Sequence, residues 1–171
     1  MRAHLIPHPD TPSTAVTGIE VEVECVGDGF TLSYWVVGDM EAVRWPDPAA
    51  PARTDGLWQH TCLELFIQHP GGPGYDEFNF SPSSQWAAYR FTGYRAGMHN
   101  LELAAPNIAL DLSDDTFLIT VELVTPSPVG ARAAISAVIE ETSGAKSYWA
   151  VAHAPGKPDF HHADSFALEL P

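Results

Sequence analysis

The sequence predicts an all-β protein, an antiparallel β-sandwich of jelly-roll type with about ten to eleven strands. Short segments in which apolar and polar residues alternate recur along the chain, and this pattern is typical of half-buried strands. Turn-forming residues separate the segments, since the 171 residues include 15 prolines and 13 glycines. No amphipathic pattern is long enough for a helix of three turns. Many short strands with frequent turns favour a sandwich of two packed layers.

The first half of the predicted sheet rests on the clearest alternation. In residues 18–26, apolar residues and a cysteine alternate with three glutamates, which predicts one buried face and one solvated face. A Gly-Asp-Gly turn leads into residues 30–37, which alternate in the same way. A short strand is predicted at residues 3–6. Residues 47–55 are rich in Pro and Ala without periodicity, which predicts a surface loop.

The most informative part of the chain is the run of residues 55–98. It contains three predicted strands, at residues 61–68, 75–80 and 86–91, which are separated by Gly/Pro-rich and Ser/Pro-rich breaks. Aromatic and polar residues alternate along these strands, and unpaired charges are few. We therefore expect a sheet with one face in the core and the other face open to a ligand.

The remaining strands complete a single domain that spans residues 1–171. No linker, internal repeat or low-complexity stretch divides the chain. One of these segments, residues 133–140, also fits a helix, although a strand suits its neighbours better. The predicted strands are residues 108–112, 117–124, 133–140, 146–152 and 165–170.

The charge of the chain excludes two classes of partner. Its net charge is −14, from 22 acidic and 8 basic residues. Phosphate backbones and anionic membrane surfaces are repelled by such a field, so we expect neither a nucleic acid nor a membrane as a partner. No apolar stretch approaches the roughly 18–20 residues needed to span a bilayer, and no signal peptide is visible. These features predict a cytoplasmic protein.

The two cysteines, Cys25 and Cys62, lie within predicted strands and in no metal-binding spacing. Two buried thiols are the expectation, and a single disulfide is the alternative.

Sequence motifs for catalysis and for metal binding are absent. There is no G-x-S-x-G, no H-E-x-x-H, no P-loop and no Gly-rich dinucleotide turn. His153, His161 and His162 lie near Asp159 and Asp164, but in none of the usual zinc spacings. We expect no enzyme and no metal site, and a His–Asp acid or base is the alternative.

One set of residues suits a carbohydrate. Trp58 lies just before a predicted strand, in a predicted loop at the end of the sandwich. An indole in such a loop can stack on the C–H face of a sugar. Glu64 and Arg90, on neighbouring predicted strands, can bond sugar hydroxyls. Trp149 with His153 is a candidate for the opposite wall.

Several sequence blocks together resemble a known family. They are LWQHTCLELFI, YDEFNFSPSSQWAAYRF with YRAGM, SAVIE, SYWAVAH and GKPDFHHADSF, and they cover most of the chain from residue 58 to residue 170. This combination resembles the DOMON-like family, in particular a bacterial subgroup related to family 9 carbohydrate-binding modules. Domains of this subgroup sometimes occur alongside UDP-N-acetylmuramate reductase.

The resemblance implies a β-sandwich whose pocket takes a sugar or a haem. In the sugar-binding relatives, a Trp, a Glu on the next strand, an Arg on a later strand and a second aromatic form a clamp. Trp58, Glu64 and Arg90 match that order, and Trp149 or Phe160 is the second aromatic. The resemblance therefore implies a non-catalytic module for a small carbohydrate or glycan fragment. His60 and His161 complete the set of candidate ligand-binding residues.

Two alternatives stay open. In the haem-binding relatives, Met with His or Lys ligates iron, and Met98 with His153 or His161 can play those parts here. The other alternative is an interaction domain with a vestigial pocket, whose edge strands pair with another copy or with a partner enzyme.

Overall fold

The computed structural model describes residues 1–125 and 131–170, and within them the chain forms twelve β-strands and three single-turn 3₁₀ helices. The helices are Met40–Ala42, Leu57–Gln59 and Ala163–Ser165. None of the helices in these two ranges has the length or the apolar character needed to cross a membrane. The strands are β1 (Arg2–Pro7), β2 (Val16–Val26), β3 (Gly29–Gly38), β4 (Cys62–Gln68), β5 (Tyr75–Phe80), β6 (Trp86–Phe91), β7 (His99–Asn100), β8 (Asn107–Leu112), β9 (Thr116–Val124), β10 (Arg132–Glu140), β11 (Lys146–Ala150) and β12 (Leu168–Glu169).

The strands form two layers that are joined through β1. The first layer has the order β8-β9-β3-β2-β1, and the second has the order β1-β11-β10-β4-β5-β6-β7, with β12 beside the start of β10. β1 belongs to both layers because its first residues pair with β2, whereas Ile6 and Pro7 pair with β11. Every pairing between these strands is antiparallel. The prediction of an all-β antiparallel sandwich is therefore confirmed, and its jelly-roll type of connectivity stays a prediction.

The main core lies between the two layers, where the alternating apolar residues of each layer meet. In the first layer the inward side chains of β3 are Phe30, Leu32, Tyr34 and Val36, as their alternation predicts. The second layer contributes Leu63, Leu65 and Ile67 from β4, with Phe78 and Phe80 from β5. These residues form one continuous apolar cluster.

A second apolar cluster covers the outer face of the second layer. The strands β4 and β5 are buried on both faces, unlike the strands of the first layer, whose outer face is wet. The outer cluster includes Phe66, Tyr75, Tyr89, Phe160 and Phe166. Phe160 and Phe166 come from the segment 151–167, which folds back over the sheet and makes this face the second interior of the protein.

The structure corrects several details of the sequence prediction. Strand β11 ends at Ala150. The predicted strand 165–170 is reduced to the two-residue β12, and its first residue, Ser165, is the last residue of a 3₁₀ helix. Residues 133–140 lie in strand β10, which settles the ambiguity with a helix. Cys62 is buried as expected, but Cys25 is exposed because it lies near the outer end of β2.

Candidate functional site

A cavity of about 500 Å³ lies on the outer face of the second layer, beneath the covering segment. That volume is within the range of small-molecule sites. Five aromatic side chains line it, namely Trp58, Phe66, Phe91, Tyr148 and Phe160. Four polar side chains share the lining, namely Glu64, Glu77, Arg95 and His161, and the rest is Met98, Val138 and Pro158.

Strand geometry explains why two carboxyl groups face this cavity. Leu63 and Leu65 point into the sandwich core, so Glu64 between them must point outward. Phe78 points into the core from β5, which turns its neighbour Glu77 outward in the same way. Residue 77 lies opposite Phe66 in the strand pairing, and residue 64 lies opposite residue 79. The two carboxyl groups are thus diagonal neighbours on one face.

Burial makes Glu64 a weak acid. Glu64 is only 2% exposed. Burial, and secondly the charge of Glu77, raises the pKa of Glu64 to about 8, although the Ser136 hydroxyl donates to its Oε2 at 2.9 Å and opposes the shift. Burial therefore favours the protonated form of Glu64.

Glu77 is buried as well, and its pKa is also raised. Burial is the main cause, and two groups oppose it. The Asn79 amide donates to Glu77 Oε1 at 2.7 Å, and the positive charge of Arg95 favours the carboxylate. The cavity therefore holds two carboxyl groups with different partners.

His161 is held as a neutral hydrogen-bond donor toward the cavity. Burial, with the nearby charge of Arg95, lowers the pKa of His161 to about 4. The Arg95 backbone N–H donates to the Tyr75 hydroxyl at 3.2 Å. That hydroxyl lies 2.7 Å from His161 Nδ1, and no other acceptor for it lies in residues 1–125 and 131–170. If the hydroxyl donates to Nδ1, the proton of the ring is on Nε2, which lies 3.8 Å from Glu77 Oε2.

Arg95 is fixed by the covering segment. Its guanidinium donates to Asp159 Oδ1 at 2.8 Å, and the Tyr94 hydroxyl donates to Asp159 Oδ2 at 2.5 Å. Burial alone would raise the pKa of Asp159, but the hydrogen bonds from Tyr94 and Arg95 outweigh it and lower that pKa. Arg95 lies in the turn between β6 and β7 with a φ of +51°. The segment 159–161 and this turn therefore hold each other over the cavity.

The structure brings four of the eight candidate ligand-binding residues to the cavity. They are Trp58, Glu64, Phe160 and His161. Sequence reasoning missed Glu77, Arg95 and Tyr148, which line it as well. The place of Arg95 depends on its contact with the distant Asp159, which no local pattern predicts.

The structure places Arg90 away from the cavity, which corrects the predicted clamp. Arg90 shares the inward face of β6 with Trp86 and Ala88, whereas Ala87, Tyr89 and Phe91 face the outer cluster. Its guanidinium donates to both oxygens of Asp76, at 2.7 and 2.8 Å. Arg90 and Glu64 therefore lie on opposite faces of the sheet and cannot hold one ligand.

The other three candidates also lie elsewhere. Trp149 is buried in the sandwich core, and its neighbour Tyr148 takes the place on the outer face. His60 Nδ1 is bound to Glu140 Oε2 at 2.7 Å and faces a neighbouring cleft. His153 Nε2 lies 2.8 Å from the backbone oxygen of Ile6.

Arg90→Ala is expected to lower the free energy of unfolding by about 2 kcal/mol, because a buried carboxylate loses its main partner. Asp76 is almost fully buried, and in residues 1–125 and 131–170 its one other side-chain hydrogen-bond partner is His69, at 2.9 Å. Urea denaturation measures the loss. Adding Asp76→Asn should recover part of it, whereas a double variant as unstable as the sum of the single variants would contradict the pairing.

Only one of the two predicted pairs of haem ligands meets at the cavity, as far as residues 1–125 and 131–170 show. Met98 and His161 both line it, and the Nδ1 atom of His161 lies 2.7 Å from the Tyr75 hydroxyl. His153, the other predicted ligand, lies outside the cavity lining. In the part of the chain that the structure describes, no group of three or more His, Cys, Asp or Glu side chains could hold a metal ion.

Comparison with known proteins finds relatives by structure. No family model matches this chain, and no curated protein matches its sequence. A crystal structure of a proposed carbohydrate-binding protein from Bacteroides uniformis matches with a TM-score of 0.65 at 14% identity, over 96% of this chain and 83% of that chain. A family 9 carbohydrate-binding module from Caldicellulosiruptor kristjanssonii, solved with cellotriose, matches with a TM-score of 0.50 at 12% identity, over 90% and 74% of the two chains. The fold is thus shared with these proteins.

Proposed function

We propose that the cavity binds a sugar residue of a small carbohydrate and that the protein is a non-catalytic binding module. The observation that carries this proposal is the composition of the cavity. Its walls are aromatic, and its four polar side chains are held by neighbours, with Glu64 and Glu77 buried. Sugar rings present apolar C–H faces and a rim of hydroxyls, so a site of this kind matches both of their surfaces.

Each side chain has a distinct role in this proposal. Trp58 is 41% exposed and stands edge-on to Tyr89 at 6.2 Å, which leaves indole surface for stacking. The protonated Glu64 and the His161 Nε2–H donate to sugar oxygens, and Glu77 accepts from a sugar hydroxyl. Such charge-assisted and buried hydrogen bonds give orientation, while the aromatic walls give contact area.

The structural relatives support the class of ligand. One neighbour was solved with cellotriose, and another is a proposed carbohydrate-binding protein. Because a shared fold does not define function, the proposal rests on the cavity and not on the likeness.

Calorimetric titration with glucose, cellobiose and cellotriose tests this proposal. We expect Trp58→Ala to weaken binding by at least about tenfold, because the stacking surface is lost. Trp35→Ala is the matched control, since Trp35 lies in the other layer beside Arg2 and should leave the affinity unchanged.

Two results would contradict the assignment. An affinity that Trp58→Ala leaves intact would place the sugar elsewhere. Hydrolysis products in the titrated samples would indicate that the protein is an enzyme in which Glu64 and Glu77 act as an acid–base pair.

The finer expectations stay predictions. They are the DOMON-like assignment, the single-domain organisation, the cytoplasmic location, and pairing with a second copy or a partner enzyme. Light scattering coupled to size-exclusion chromatography tests self-association, and a strict monomer would contradict it.

A further inference from the structure

We propose that the cavity selects a sugar that carries a free ammonium group, so that the preferred ligand class is an amino sugar. This inference rests on the proposed function and narrows its ligand. It is based on how the oxygens of Glu64 and Glu77 are used, and on the charges that surround them.

In each of the two carboxyl groups, one oxygen accepts a hydrogen bond from a neighbouring side chain, and the other oxygen is available to a ligand. Ser136 donates to Glu64 Oε2 and Asn79 donates to Glu77 Oε1. Within residues 1–125 and 131–170, no hydrogen bond reaches Glu64 Oε1 or Glu77 Oε2. Both side chains line the cavity, so Glu77 Oε2, and Glu64 Oε1 once that group has lost its proton, are the acceptors that a ligand ammonium meets there.

The cationic groups around the cavity are already engaged or neutral. The Arg95 guanidinium is bound to Asp159, and His161 is uncharged because it is buried and accepts from Tyr75. Arg95 acts on Glu77 through its charge alone, since its guanidinium is bonded to Asp159. A ligand ammonium, with three N–H donors, supplies a cation that can hydrogen-bond to these carboxyl groups.

The surroundings favour a cation over an anion. Aromatic faces line the cavity, and a cation near such faces gains further electrostatic stabilisation. The net charge of −14 attracts cationic ligands and repels anionic glycans. A neutral sugar brings no positive charge to either carboxyl group.

Binding of an ammonium group is expected to release a proton from the protein, whereas binding of a neutral sugar is not. The proton on Glu64 leaves to the buffer, and the resulting carboxylate pairs with the ligand ammonium. No covalent bond to carbon forms or breaks. The release of about one proton per bound sugar, at about pH 6.5 where the ligand amine is protonated, is the signature of this mode.

The experiment compares glucosamine, N-acetylglucosamine and glucose by calorimetry at about pH 6.5, in two buffers that differ in ionisation enthalpy. We expect glucosamine to bind at least about tenfold more tightly than the two neutral sugars and to release about one proton. Glu64→Gln should remove both the preference for glucosamine and the proton release, because its amide neither ionises nor carries a charge. Glu122→Gln, on the outer face of the other layer, is the matched control and should change neither.

The outcomes separate this inference from the proposed function. Equal affinities for glucose and glucosamine without proton release would overturn the ammonium preference and leave carbohydrate binding intact. A preference for N-acetylglucosamine would also overturn it, since the acetyl group removes the charge. Failure of all three sugars, together with cellotriose, would overturn both proposals.

Discussion

Glu64→Gln is expected to raise the free energy of unfolding at about pH 9 by about 3 kcal/mol, because it removes a buried carboxylate that must ionise there. The pKa of Glu64 is about 8 in the folded protein against 4.5 for an ordinary glutamate, so the folded state binds the extra proton between these values. Stability of the wild type therefore falls as pH rises from about 4.5 to about 8. Below that window the variant and the wild type should be nearly equal.

Urea denaturation at several pH values measures this difference. The glutamine side chain of the variant keeps an oxygen for the Ser136 hydroxyl, so the substitution removes the charge and preserves the hydrogen bond. Glu122→Gln, an exposed charge change on β9, should leave the pH profile as it is in the wild type. Parallel profiles for wild type and Glu64→Gln would show that residue 64 ionises as an ordinary carboxyl group. The expected cost of Glu64 to stability is typical of a residue retained for binding.

Glu141→Ala is expected to lower the free energy of unfolding by about 3 kcal/mol, because several donors lose their acceptor at once. Glu141 Oε1 accepts from the backbone N–H groups of Thr14 and Ala15, at 2.7 and 3.2 Å, and from the Ser13 hydroxyl at 3.1 Å. Oε2 accepts from the Thr14 hydroxyl at 2.7 Å. These bonds tie the connection between β1 and β2 to the end of β10.

The same hydrogen bonds predict an acid-sensitive step. Burial opposes ionisation, but the bonds from Thr14, Ala15 and Ser13 outweigh it and lower the pKa of Glu141 to about 2. The contribution of Glu141 is therefore complete above about pH 4.5 and is lost as pH falls toward 2. Thermal unfolding between about pH 7 and about pH 3 measures the melting temperature of each variant against the wild type. We expect a smaller fall in melting temperature for Glu141→Gln, which keeps an acceptor, than for Glu141→Ala. Equal losses would contradict the hydrogen-bond explanation.

Alternation of residues predicted the fold and one half of the site. Leu63 and Leu65 flank Glu64, and this local pattern was enough to turn its carboxyl group away from the core. Trp58 was found from its position in a predicted loop before a strand, whereas Phe160 entered the prediction through the family resemblance.

Alternation failed where both faces of a strand are apolar. On β6 the two faces carry Trp86 with Ala88 and Tyr89 with Phe91, so the pattern cannot decide which face Arg90 joins. The same ambiguity on β11 led to the prediction of Trp149 at the cavity, where the structure has Tyr148.

Arg95 was missed for a different reason. Its place at the cavity depends on a turn with a positive φ and on Asp159, which lies 64 positions away in sequence. Local periodicity carries no information on such a contact.

Chemical-shift mapping of ¹⁵N-labelled protein during a titration with cellotriose and glucosamine tests the central claim most directly, because it locates a bound sugar on the structure. We expect saturable shifts at Trp58, Glu64, Glu77, Arg95 and Tyr148, and unchanged resonances for the outer face of β2 and β3. Shifts confined to the cleft around His60, or no shifts with either sugar, would contradict it.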